Sequence, residues 1–260
     1  MTAKDSLMLQ IDLNDKVAVV TGGSGELGRA ICRTLADCGA AVAVHYLNGR
    51  DRAETVCAEI TDSGGAAIAV QADVGDLDSV LAMRDAVAET LGGADIIANN
   101  AVHQYDWTTI MAQDPADFES QFRSSVLHNV FMAKAFVPHM AERGWGRVIA
   151  TNTECTMQCA PQQGAYISGK GGQDRILRVL AKECGHDGIT VNQVAPGWMI
   201  SDKYRENPVD DSGYSGRVPL RRRGDDQDIA NAVAFLASDL AGFITGVYLP
   251  VCGGNVMPAI

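Results

Sequence analysis

The chain has 260 residues and a formal charge of −11, with 21 Lys and Arg against 32 Asp and Glu. A surface this acidic repels nucleic acid and anionic lipid, so neither is an expected partner. With 47% hydrophobic residues the composition excludes a disordered chain and supplies a substantial core.

Seven Cys stand without a CxxC pair, which argues against both a zinc site and a disulfide framework. They read as free thiols of a reducing compartment. The first residues lack the basic-then-apolar build of a signal peptide, and no run of about 18 apolar residues exists. The expectation is a cytoplasmic chain with no membrane span and no bound metal.

In chain order, short apolar runs at 16–20, 40–44, 66–70, 95–98, 147–150 and 190–194 read as strands. Helical spacing occupies the stretch from Leu27 to Cys38, then 50–62, 76–91, 115–142 and 164–185. Strands apolar throughout and alternating with helices imply a parallel sheet covered on both faces. The expected fold is therefore α/β, a doubly wound parallel sheet (Rossmann-like), in a single domain over 1–260. Residues 199–217 are polar and too long for an ordinary connection, so they are expected to form a substrate lid.

The first strand runs into Thr21-Gly22-Gly23-Ser24-Gly25-Glu26-Leu27-Gly28. Glycines between a strand and a helix allow a tight turn and let backbone amides approach a pyrophosphate. Gly23, Gly25 and Gly28 fit GxGxxG, a pattern that gains weight from its position after the first strand. Tyr166 and Lys170, four residues apart in a helical segment, share one helix face. A free phenol has a pKa near ~10. An ammonium about 4 Å away, at an effective dielectric of about 20, is worth ~4 kcal/mol. That predicts a phenol tuned downward for proton transfer.

With these motifs the chain resembles the short-chain dehydrogenase/reductase family, from about residue 16 to residue 254. The family's TGxxxGxG matches at Thr21, Gly22 and Gly28, while Glu26 stands where its middle glycine would fall; Gly25 restores a TGxxGxxG spacing. The resemblance implies a nicotinamide dinucleotide held by Gly22, Ser24, Gly25, Leu27, Gly28, Tyr46, Asp73, Val74, Asn100, Ala101, Tyr166, Lys170, Pro196, Gly197, Met199 and Ser201. An acidic residue at the second strand's end would grip a bare ribose 2′-OH. The family's Asp position is the neutral Tyr46, with Asn48 and Arg50 nearby, which places NADP ahead of NAD.

The same resemblance assigns catalytic roles to Tyr166, Lys170, Thr153 and Ser125. Thr153 replaces the family's Ser and retains a hydroxyl. Ser125 replaces an Asn that distorts its helix and holds a water leading to the lysine; a serine here can bond its own i−4 carbonyl instead. Asn129 lies one turn further and can substitute only in a different helix register. Val102 replaces a glycine and must avoid positive φ.

The expected activity interconverts a secondary alcohol and a ketone, on a polar small molecule. His103, Gln104, Tyr105, Trp107, Glu154, Met157, Gln158 and Trp198 are the substrate-facing candidates. The family also implies a homo-oligomer, a tetramer or a dimer. The competing reading is a dinucleotide-binding regulator with an impaired site, motivated by Glu26, Val102, Ser125 and Cys252. A nucleotide-sugar epimerase, suggested by TGxxGxxG alone, ranks last because the chain lacks an extra substrate domain.

Overall fold

A computed structural model describes residues 10–200, 205–206 and 208–258. Seven strands form one parallel sheet in the order β3-β2-β1-β4-β5-β6-β7. They are β1 (Val17–Val20), β2 (Ala41–Tyr46), β3 (Ala67–Gln71), β4 (Ile96–Asn99), β5 (Gly146–Thr151), β6 (Ile189–Pro196) and β7 (Tyr248–Val251). The strands that the apolar runs locate are present, with ends shifted by a residue or two; the doubly wound α/β fold is the one expected.

Alternation along the strands builds two cores rather than one. Ala18 and Val20 of β1, Val42 and Val44 of β2, and Ile96 and Ala98 of β4 face one side. There they meet α1 (Glu26–Asp37), α2 (Arg50–Asp62) and a late helix, Asp226–Ala237. Val17 and Val19, Ala43 and Ile97 face the other side, against α3 (Leu77–Leu91), α5 (His128–Arg143) and α7 (Gly164–Cys184). Both faces of β1 are therefore fully buried, as its unbroken apolar run requires.

Three features depart from the expected pattern. The long helix over 115–142 is α4 (Pro115–Gln121) and α5 joined by one π-helical turn, Phe122–Leu127. The edge strand β7 escapes the periodicity because it is short, half-buried and carries Pro250. Two short helices, α6 (Cys155–Gln158) and α8 (Ser212–Ser215), and the late helix α9 (Asp226–Ala237) were not expected either. The last begins in a capping box formed by Asp225 and Asp228. Among the described residues, no helix is long and apolar enough to cross a membrane.

Strand order reverses between β1 and β4. The chain leaves β1 toward β2 and β3, then returns to pair β4 on the opposite edge. A crevice opens outside the carboxyl ends of the strands at such a switch point.

Candidate active site

Two adjoining clefts occupy that crevice. The larger, of about 1040 Å³, runs from the glycine loop across the ends of β2, β3, β4 and β5. The second, of about 780 Å³, lies beyond β5 and β6. Thr153 and Tyr166 line both, at the wall between them.

The glycine loop closes tightly. A Cβ on Gly28 would sit 2.0 Å from the Gly22 carbonyl oxygen, so no larger residue fits without moving the loop. Helix α1 starts with Gly25 as its cap, a residue with no side chain to bond the first amides. Glu26 is exposed at the rim of the cleft rather than under the loop. Gly22 is anchored from β2: its N–H donates to His45 Nδ1 at 2.9 Å, while His45 Nε2 bonds the Ala72 carbonyl at 3.0 Å. The histidine is thereby held as the tautomer that donates from Nε2. Burial lowers its pKa below the ordinary value, keeping it neutral.

Of the residues expected to hold a dinucleotide, Gly22, Ser24, Gly25, Leu27, Gly28, Tyr46, Asp73, Val74, Asn100, Ala101, Tyr166, Lys170, Pro196 and Gly197 line the larger cleft. Met199 does not; it opens into the second cleft, where a bridge to Gly224 places it. Ser201 lies outside the described residues, as do 202–204 and 207 of the expected lid. Asp73 accepts the Gly75 N–H at 2.8 Å, and the cap of α3 is Asp76 instead. Arg50 is turned outward onto Glu54 and does not line the cleft. Of the α2 arginines it is Arg52 that does, beside Gly49 and the Ser24 hydroxyl, and Arg123 and Lys170 line the same cleft. Helical spacing places Arg52 on the same element, but only the docking of α2 selects which arginine faces inward.

Tyr166 and Lys170 sit one turn apart on α7. Helix and partner approach closely at Gly169, where a Cβ would lie 2.6 Å from the Gln121 carbonyl oxygen. Two residues from the loop after β4 hold the tyrosine. Tyr105 Oη accepts the Tyr166 backbone N–H at 2.8 Å, capping an otherwise unsatisfied first-turn amide, and Trp107 stacks on the Tyr166 ring at 5.5 Å. Long-range contacts of this kind have no signature in local spacing.

The electrostatics differ from the expectation. Lys170 Nζ donates to the Thr151 carbonyl at 2.6 Å and to Gln173 Oε1 at 3.0 Å. Burial lowers its pKa to about 7. Burial also pushes the Tyr166 phenol up, with Cys155 adding to the rise and the Thr153 hydroxyl opposing it. The lysine therefore does not pull the phenol down here; desolvation outweighs it, and the phenol stays protonated.

Among the catalytic candidates Ser125 lines neither cleft, and among the substrate-facing candidates Met157 lines neither. Ser125 is fully buried, and among the described residues its hydroxyl has no protein partner, so it does not bond its i−4 carbonyl. The π-helical turn around it shifts the register of the following helix. That shift brings Asn129 back: its Nδ2 donates to the Ser125 carbonyl at 2.7 Å, and its Oδ1 accepts from Asn99 Nδ2 at 2.8 Å. Val102 has no positive φ, as its side chain demands.

The comparisons with known proteins agree with this geometry. A family model described as enoyl-(acyl carrier protein) reductase matches residues 24–255. The chain belongs to the short-chain dehydrogenase/reductase family. It is 36% identical to the versicolorin reductase stcU of Emericella nidulans over 93% of this chain and 96% of that one. It is 35% identical to the 3-oxoacyl-(acyl-carrier-protein) reductase FabG of Staphylococcus epidermidis, over 94% of this chain and all of that one. Among solved structures, a 7α-hydroxysteroid dehydrogenase complexed with NADH and 7-oxo glycochenodeoxycholic acid superposes with a TM-score of 0.89. That match is 29% identical and covers 96% of this chain and 97% of the other. Membership of the family makes the chain an oxidoreductase.

Proposed function

We propose that the chain is an NADP(H)-preferring oxidoreductase that interconverts a ketone and a secondary alcohol of a polar small molecule. The observation that carries this reading is that Tyr166 and Thr153 stand on the wall between the two clefts, with Lys170 beside them in the larger one. The residues present fit a dinucleotide: a helix α1 whose N-cap is a glycine, a glycine turn closed to side chains, and Arg52 beside Ser24. A neutral Tyr46 with a nearby guanidinium favours a 2′-phosphate over a bare ribose. The hydroxysteroid dehydrogenase solved with NADH and a 7-oxo compound supports the same chemistry by likeness.

A nicotinamide held by the larger cleft would supply hydride for reduction and accept it for oxidation. Tyr166, a phenol that desolvation shifts further upward, donates its proton to the carbonyl oxygen, so that C=O plus hydride plus proton gives CH–OH. Thr153 hydrogen-bonds the same oxygen; its Oγ1 accepts from Cys155 N at 3.2 Å, a contact that does not use the hydroxyl's own proton. Lys170, with a pKa of about 7, can return a proton to the site. Of the expected lid, α8 packs at the second cleft through Tyr214.

Oxidation of NADPH at saturating ketone tests the assignment. Tyr166→Phe should lose about 10²–10⁴-fold in kcat while still binding dinucleotide. Full turnover by that variant would overturn the proposal.

A further inference from the structure

One carboxylate in the second cleft has no part in the mechanism above. Glu154 follows Thr153 directly and is 2% exposed. Its Oε1 accepts from the Tyr214 hydroxyl at 2.9 Å, and its Oε2 accepts from Asn255 Nδ2 at 3.0 Å. Both donors are neutral and both line the same cleft. Among the described residues no cation pairs with this carboxylate.

Burying a carboxylate without a cation is costly, so its retention asks for a use. The supports hold it rigidly. The Tyr214 hydroxyl accepts the Trp198 N–H at 2.8 Å while it donates to Glu154, so its single proton is committed. The Glu154 backbone N–H donates to the Pro196 carbonyl at 2.9 Å, tying the turn to the end of β6. A carboxylate offers roughly four acceptor positions, of which the protein fills two. The remaining capacity belongs to a cleft that Thr153, the residue that would hold the reacting oxygen, lines as well.

We infer that Glu154 is a specificity residue that accepts a hydrogen bond from a hydroxyl on the carbon next to the reacting carbonyl, making α-hydroxyketones and vicinal diols the substrate class. This deepens the ketone-reductase reading and rests on it. A hydroxyl fits better than an ammonium because Arg217 lines the same cleft, and Arg223 stands 4.1 Å over the ring of Trp198, which lines it too. A second positive charge would be repelled there. The aromatic walls, Tyr105, Trp107 and Trp198, suit an apolar remainder of the substrate.

An isosteric trio tests this: α-hydroxyacetophenone, propiophenone and α-aminoacetophenone, assayed by NADPH oxidation. The readout is the ratio of kcat/KM values within one enzyme. Wild type should favour the hydroxyketone over propiophenone by about tenfold or more, the value of a hydrogen bond to a charged group. In Glu154→Gln that ratio should fall toward unity. Asn255→Ala, which removes one of the two supports that hold the carboxylate in place, should lower it too and serves if the first variant does not fold. A wild-type ratio near one, an unchanged ratio in a folded Glu154→Gln, or a preference for the aminoketone overturns the inference. Reduction of propiophenone with no hydroxyl preference would leave the reductase reading standing. Tight NADPH binding without turnover of any of the three, or of a broad ketone panel, would instead remove that reading and the inference with it.

Discussion

Lys170 directs its ammonium at the carbonyl of Thr151, 2.6 Å away, and burial brings its pKa down to about 7. A lysine titrates near ~10.4 in the unfolded chain, so between about pH 7 and that value the unfolded state binds more protons. Stability should therefore rise with pH across this window as the buried penalty is relieved. Relative to wild type, Lys170→Met should be more stable by a few kcal/mol below about pH 7, with the gap closing toward pH ~10. Thermal melts of the dinucleotide-free protein at several pH values measure it. A gap that widens with pH would refute the assignment of this lysine.

Arg52 is the α2 arginine that lines the dinucleotide cleft, while Arg50 pairs with Glu54 outside it. Arg52→Ala should shift the ratio of kcat/KM for NADPH over NADH down by about tenfold, the loss of one charge-assisted hydrogen bond to a phosphate. Arg50→Ala should leave the ratio within about twofold, since an exposed pair contributes little.

His45 joins the glycine loop to β3 through Gly22 N–H and the Ala72 carbonyl. Replacing it with Phe strands both groups, at about 1–3 kcal/mol each, and should weaken dinucleotide binding measured by calorimetry. The folded-state pKa of this histidine is depressed by burial, so the native pairing is intact above the ordinary histidine value of ~6.5. Stability should fall as pH drops below that value, because the unfolded histidine takes up its proton first. His45→Phe should show a shallower acid slope in urea titrations.

Asn129 bridges Asn99 and the Ser125 carbonyl inside the π-helical turn. Asn129→Ala removes a donor and an acceptor from buried partners and should cost about 1–3 kcal/mol in denaturant unfolding. Asn129→Asp keeps the acceptor for Asn99 but places an oxygen against the Ser125 carbonyl, and should cost at least as much.

Residue order alone determined a good deal of this protein. The apolar runs at β1 to β6 can be buried only on both faces, which dictates a parallel sheet with crossover helices. The glycine turn and the four-residue spacing of Tyr166 and Lys170 are local, because backbone sterics and helix geometry act over a few residues. Distance in sequence hid the rest. Which arginine of α2 points inward, the register shift that returns Asn129 to Ser125, and the aromatic pair that pins Tyr166 all depend on how elements dock. The phenol's pKa shows the limit most clearly. Spacing places a lysine one turn away and suggests a lowered value, but burial depth is set by the whole fold, and desolvation wins.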